Sequence, residues 1–295
     1  MQTPYILGID LGGSSIKTVA VTFEGSLLSS ENIPFVDRDQ EWAGKIREWV
    51  VRYRQEWGCP AKIGLSAPGL ASLDGQHIAQ MPGRLIGLER LNWTIFLEAS
   101  SPIPVLNDAH AALMGEVWQG AARGMSNVVM LTLGTGVGGA AMVDGRLLKG
   151  HIGRAGHLGH TVLNFDGPLD DVQTPGSLEM EIGNKTIFRR SHGRFATTHL
   201  LVQAHLHGDS EASELWGRSV RALAAGIATM INILDPEAVI IGGGIARAND
   251  ALFEPLQLEL DRVEWRPGGH QVKILPAQLG DFAGAYGSAW TALKN

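Results

Sequence analysis

Residues 10–17 read Asp-Leu-Gly-Gly-Ser-Ser-Ile-Lys. An aspartate closes an apolar run, two glycines follow, then hydroxyls, then a lysine. Glycines let backbone N–H groups approach phosphate oxygens with no Cβ in the way. Gly12 and Gly13 could form such a cradle, Ser14 could add a hydroxyl donor and Lys17 a point charge. Asp10 could hold Mg2+, which takes oxygen ligands and keeps several waters. An ordinary hairpin turn accounts for a Gly-Gly pair equally well. A second loop, Leu-Gly-Thr-Gly-Val-Gly-Gly at 133–139, offers Gly134, Thr135 and Gly136 for the same chemistry. Neither loop is a Walker A loop, because no Gly-Lys-Ser/Thr follows, and a strand rather than a helix after the glycines argues against a dinucleotide fingerprint. Gly242, Gly243 and Gly244 follow a buried-strand pattern; they suit a flat platform for a base or ribose, or a plain strand-to-helix turn.

The elements that must carry these residues are α/β in pattern. Residues 5–11, 16–23 and 26–33 read as short strands joined by Gly-containing turns. Trp42, Ile46, Trp49, Val50, Tyr53 and Trp57 make one apolar stripe on a helix over 41–57, which reads as core packing. Strands at 61–66 and 103–106 lead to a helix from 108 to about 119, with Asn107 or Asp108 available as its N-cap. A second cycle begins at 127, with a strand, a turn over 134–139 and a returning strand over 140–148. Laid on the first cycle, Thr132 matches Asp10, which indicates an internal duplication. A long helix over 211–234, a buried strand from 238 and a final helix from 284 complete the pattern.

The bulk numbers exclude several classes. Of 295 residues, 44% are hydrophobic and 18% charged, which suits a globular chain with a sizeable core. A net charge of −6 gives no electrostatic footprint for nucleic acid or an anionic membrane. No apolar run reaches membrane-spanning length, and the N-terminus has no basic segment before its apolar run. One cysteine, Cys59, excludes an internal disulfide framework, and the expected compartment is the cytoplasm. Of the 38 glycines, 15 fall in clusters at 12–13, 134–139, 150–159, 242–244 and 268–269, so their excess marks sites and not linkers.

Five segments in order carry a resemblance: Asp10–Lys17, Leu106–Leu113, Leu131–Gly139, Ala155–His160 and Asp235–Gly244. Together they resemble the bacterial ROK family of sugar kinases and sugar-responsive repressors, over about residues 5–290. The resemblance implies an α/β fold of two ribonuclease-H-like domains of the hexokinase/actin-type ATPase superfamily with an interdomain cleft. The expected small domain spans 1–116 with the C-terminal helix 284–295, and the large one 117–283. It implies an ATP- and Mg2+-dependent kinase acting on the primary hydroxyl of a hexose, with Asp108 as general base and Asn107 as a sugar contact. His160, Glu179 and Gly69 fall where the family contacts its sugar. A homodimer is the family-level expectation. A repressor would need a winged helix-turn-helix ahead of the strand at Tyr5, where four residues stand, and a sensor without catalysis would not need Asp10, Lys17 and Asp108 together.

The chain departs from the family in three places. The family's zinc module places three cysteines where this chain has Asp170, Val172 and Ser177, so no zinc site is expected and packing is expected to hold the loop 164–177. The family's sugar-binding glutamate is His157 here, which changes the hydrogen-bonding pattern around C1 and C2 of the sugar and leaves N-acetylmannosamine, N-acetylglucosamine or allose as alternatives to glucose. The Met81-Pro82-Gly83 segment has glycine where the family has asparagine.

Overall fold

The structure, a computed structural model, describes residues 4–81 and 83–295; Pro82 of the departing segment lies outside the described residues. The chain forms two compact units, one from Met1–Gly124, Leu147–Ala155 and Gln278–Asn295, the other from Met125–Arg146 and Gly156–Ala277.

Unit 1 opens with a meander of β1 (Ile6–Leu11), β2 (Ser15–Val21) and β3 (Leu27–Pro34). It continues through α1 (Glu41–Trp57), β4 (Lys62–Ala67), β5 (Leu70–Ala71), β6 (Ile78–Gln80), α2 (Trp93–Phe96), β7 (Val105–Asn107) and α3 (Asp108–Gln119). Its main sheet runs β3-β2-β1-β4-β7, with β1, β4 and β7 parallel. The aromatic stripe of α1 is core: Trp42, Ile46, Trp49, Val50 and Tyr53 are buried, and Trp42 packs on Trp93 of α2. Fully burying side chains of this size contributes about 2–3 kcal/mol each before the entropy of ordering is subtracted.

Unit 2 repeats the plan with β8 (Val128–Leu133), β9 (Val137–Val143), β10 (Arg146–Leu147), α4 (Leu178–Ile182), α5 (Ile187–Arg190), α6 (Thr198–Leu206), α7 (Ser210–Leu234), β11 (Ala238–Gly242), α8 (Asp250–Val263) and β12 (Lys273–Pro276). Its sheet order, β10-β9-β8-β11-β12, again pairs an antiparallel hairpin with parallel strands. The register carries the duplication to single residues. Asp10 pairs with Lys17 and Ser66, and Thr132 pairs with Gly138 and Gly242.

The second glycine loop is shorter than the sequence pattern suggests. Val137, Gly138 and Gly139 belong to β9, so the turn is only 134–136. Gly139 pairs with Leu131 in the ladder, and it is glycine because a Cβ there would meet Leu158 and the Gly156 carbonyl within 3 Å.

The last helix, α9 (Ala283–Lys294), belongs to unit 1 and packs on β1, β4 and α3. It does so where side chains are missing. A Cβ on Gly8 or Gly64 would stand 1.9 Å from a carbonyl of α9, and one on Gly287 would stand 1.7 Å from the Ala111 carbonyl. Glu116, wholly buried on α3, ties the entry of this segment down by accepting from the backbone N–H groups of Ala121, Gln278 and Leu279. Glu116→Gln replaces one acceptor oxygen by a donor facing these N–H groups. It is expected to cost about 2 kcal/mol in denaturant unfolding; a loss below about 0.5 kcal/mol would show the carboxylate to be dispensable. Among the described residues no helix is long and apolar enough to cross a membrane.

Candidate functional site

In unit 1 the expected residues gather at one edge of the sheet. β1, β4 and β7 are parallel, and Asp10, Ser66 and Asn107 all stand at their carboxyl ends. That edge is where open α/β sheets bind ligands. Asp10 is only 9% exposed, and its Oδ1 accepts from Ser66 Oγ at 2.7 Å. Burial pushes its carboxyl up from 3.8 to about 6; Lys17, across the ladder, and Ser66 pull the other way, and Asp108 adds to the rise. Oδ2 faces Gly284 at the start of α9, where any Cβ would stand 2.7 Å from it.

The Gly12–Gly13 turn is a hairpin turn, with Gly12 N donating to Ser15 O at 2.9 Å, and Ser14 is exposed. Its exposed neighbour is Arg84, which donates to Gly13 O at 2.9 Å. This second cation beside the loop was not legible in the sequence, because its partner is a backbone carbonyl 71 residues away.

Asn107 is the N-cap of α3. Its Oδ1 accepts from Ala109 N and His110 N, and its Nδ2 donates to Gly69 O at 3.0 Å. The amide thus couples the helix start to the loop after β4. Gly69 has φ of 102°, and a Cβ there would meet the Gln80 carbonyl at 2.5 Å, so this position requires glycine. Asp108 opens α3, with Oδ1 accepting from its own neighbour Ala109 N at 2.8 Å. His110, three residues after Asn107 and buried, donates from Nε2 to Ala155 O at 2.9 Å and anchors the 147–155 segment. The sequence offered only its spacing from Asn107 as a signal.

In unit 2 the glycine loops also sit at the carboxyl ends of parallel strands, β8 and β11. Gly134 O and Thr135 O accept from Asn184 N and Lys185 N, which leaves Thr135 exposed at the tip of the turn. Gly136 makes room for a carboxylate: a Cβ there would stand 1.9 Å from Glu179 Oε2, which accepts from Val137 N at 3.0 Å. Gly243 has φ of 87° and lies against the Leu133 backbone, while Gly244 opens a 3-10 turn with open space beside it and Gly242 ends β11. These contacts give Gly243 a packing reason of its own, independent of any platform role. His157 precedes a 3-10 turn, Leu158–His160, half-buried.

His160 meets Asp170, with Nδ1 to Oδ2 at 2.8 Å, and one ligand-type atom from each of His160, Asp170 and Glu179 lies within 4.8 Å of the others. This cluster does not fit a structural zinc. Two ligands on one tetrahedral zinc stand about 3.3 Å apart at ordinary bond lengths, and a 2.8 Å pair shares a proton instead. Asp170 Oδ1 is already taken by Val172 N and Thr174 N, and Val172, at the second cysteine position, is 57% exposed and apolar. Burial opposes ionisation of Asp170, but the hydrogen bonds from His160 and Thr174 outweigh it and hold the carboxyl below its usual range. The same contacts correct the expectation that packing holds the 164–177 loop. Phe165, Leu169 and Val172 are exposed, and hydrogen bonds centred on Asp170 do the holding.

An Mg2+ ion does fit Asp10, an oxygen donor on a buried carboxylate whose raised pKa marks an unmet demand for positive charge. This demand has a sign. The folded state keeps the Asp10 proton that the unfolded chain has released between pH 3.8 and about 6, so stability falls as pH rises through that window and stays lowered above it. Asp10→Asn is therefore expected to gain about 2 kcal/mol at pH 7.5, after allowing for a weakened Ser66 bond, and nothing at pH 4. Thermal melts at the two pH values check this; a destabilised variant at pH 7.5 would show that Lys17 satisfies the charge.

The pattern of the ROK family matches residues 6–295. A glucokinase of Halalkalibacterium halodurans is 29% identical, over 98% of this chain and 95% of the relative. An N-acetylmannosamine kinase of Escherichia fergusonii is also 29% identical, over 97% of each. Among solved structures, a ROK hexokinase from Thermus thermophilus superposes with a TM-score of 0.85 at 30% identity, covering 98% of this chain and 97% of that one. A ROK family glucokinase from Streptomyces griseus, solved with glucose and AMPPNP, gives 0.82 at 26% identity over 99% and 100%.

Proposed function

Because the chain belongs to the ROK family, we propose that it is a sugar kinase that moves the γ-phosphoryl group of ATP to the primary hydroxyl, O6, of a hexose. Relatives named as glucokinases match nearly the whole chain, and one of the similar structures was solved with glucose and AMPPNP. The observation that carries the mechanism is the edge of the unit 1 sheet, where Asp10 on β1, Lys17 on β2, Asn107 on β7 and Asp108 on the helix that follows are held with β4 between β1 and β7.

Asp108 accepts the O6 proton as O6 forms its bond to the γ-phosphorus; the bond from that phosphorus to the β-bridging oxygen breaks and ADP leaves. The reading is supported by the N-cap of Asn107, whose own amide donates to the Gly69 carbonyl and which fixes the start of α3 where Asp108 stands. Lys17, the Gly12–Gly13 turn and the Gly134–Gly136 turn supply positive charge and N–H donors to the phosphates. Asp10 would hold Mg2+, which neutralises charge on the β- and γ-phosphates. His157, His160 and Glu179 contact the sugar hydroxyls, and Gly242, Gly243 and Gly244 border the nucleotide. The protein works as a cytoplasmic homodimer on a free sugar, without nucleic acid or membrane.

A second reading keeps the reaction and changes the sugar. His157, where the family has a carboxylate, accepts one hydrogen bond and donates one, and the N-acetylmannosamine kinase relative points the same way. A coupled ADP-release assay over glucose, mannose, allose, fructose, N-acetylglucosamine and N-acetylmannosamine tests both. Turnover of one or more of these is the expected result, and no turnover on any sugar would sink the kinase reading.

A further inference from the structure

We propose that Asp170 is a positioning residue that takes over, with a carboxylate and no metal, the work of holding a sugar-contacting histidine. The proposal rests on His160 contacting the sugar, as above. The side chain of Asp170 is wholly buried, and each of its oxygens has a separate task. Oδ2 lies 2.8 Å from His160 Nδ1. A carboxylate brings no proton, so Nδ1 must donate, and the neutral ring then presents Nε2 as an acceptor. Oδ1 accepts from Val172 N at 3.0 Å and Thr174 N at 2.8 Å, and Asp170 N donates back to Thr174 O. One side chain therefore closes the tip of the loop and fixes which face of the imidazole meets the ligand. Glu179 completes the cluster from α4, with its carboxylate fixed by Val137 N.

The consequence is a definite hydrogen-bond polarity. His160 accepts a hydrogen bond from a hydroxyl at Nε2 and Glu179 accepts as well, so the sugar must donate to both. A hydroxyl can donate only once, so the two acceptors call for two hydroxyl donors, or one hydroxyl and one N–H such as that of an acetamido group. The site is thus built for a polyol face with adjacent donors.

Asp170→Asn separates the two tasks. Its carbonyl oxygen can still accept from Val172 N and Thr174 N, so the loop closes, but its NH2 now faces Nδ1 and forces the ring to donate from Nε2 instead. The expected result is a sugar KM raised about 10–100-fold, with kcat and the KM for ATP within about threefold and an unchanged melting temperature. A folded variant with unchanged sugar KM would overturn the proposal, as would an equal fall in kcat and melting temperature with no change in KM. Long-range 1H–15N spectra of the ring nitrogens in the sugar-free protein give a readout independent of activity. Wild type should show Nδ1 protonated and Nε2 bare, reversed in Asp170→Asn; the opposite assignment in wild type overturns the proposal. If no sugar is turned over, the kinase reading fails, and the ring spectra still decide the positioning role. Metal analysis of the purified protein should find zinc far below one per chain; a stoichiometric amount would show that a metal and not the carboxylate holds the loop.

Discussion

Asp108→Asn is expected to lower kcat by about a thousandfold, the middle of the range for removing a positioned general base. The KM values for sugar and ATP should move by no more than a few-fold. The change is isosteric, and the asparagine carbonyl can still accept from Ala109 N, so the start of α3 stays in place. Asn107, not Asp108, caps the helix, so folding should not depend on the charge. On the proposed mechanism, the variant loses the ability to take the hydroxyl proton as the phosphoryl group moves. Steady-state kinetics over both substrates check this. Unchanged kcat would sink the base assignment and leave the kinase reading intact, because that reading rests on the whole-chain match to the family and not on this one residue.

Gly287→Ala is expected to destabilise the protein by about 3 kcal/mol, the upper part of the usual range for overpacking. The new methyl would stand 1.7 Å from the Ala111 carbonyl and 2.9 Å from Gly115 N, both backbone atoms of α3, so rotamer changes cannot relieve the clash. The helix must shift, and contacts with β1 and β4 shift with it. Gly44→Ala is the control. Gly44 lies inside α1 with nothing within 4 Å of the added atom, so alanine should gain about 0.5–1 kcal/mol through helix propensity. Denaturant curves for the pair check the argument: two variants with the same small effect would show that close backbone contact does not decide the energetics here.

The elements that were legible from sequence are those with one dominant period. The α1 stripe, the N-terminal meander and α7, ended by Asp235 at φ of 44° and Pro236, fall within a residue or two of their patterns. The duplication was legible because both hairpins keep their turn signals, and Asp144-Gly145 takes the positive φ values such turns need. The region 178–206 gave no clear signal, since α4 and α5 are a turn or so long and their burial follows contacts far away in sequence. α8 was obscured by Pro255 inside it. At the candidate site, residue types and order pointed to the segments proposed to bind phosphate and sugar. What they could not supply was the wiring between residues. The double use of Asn107, the Arg84 contact, the His110 anchor and the carboxylate hub at Asp170 all pair a side chain with backbone or a partner far along the chain.

The bare-glycine contact between α9 and unit 1 has a consequence for how this chain is made. A ribosome emits β1 through α3 well before the helix that covers β1 and β4, with unit 2 and the Leu147–Ala155 segment of unit 1 in between. Until that moment Gly8 and Gly64 present a naked strip of sheet. Unit 2 is complete once Ala277 has emerged and can mature during synthesis, whereas unit 1 waits for α9. The nascent protein therefore holds Asp10 and Asp108 on an unfinished scaffold, and a product lacking α9 is expected to lose the sheet that carries them.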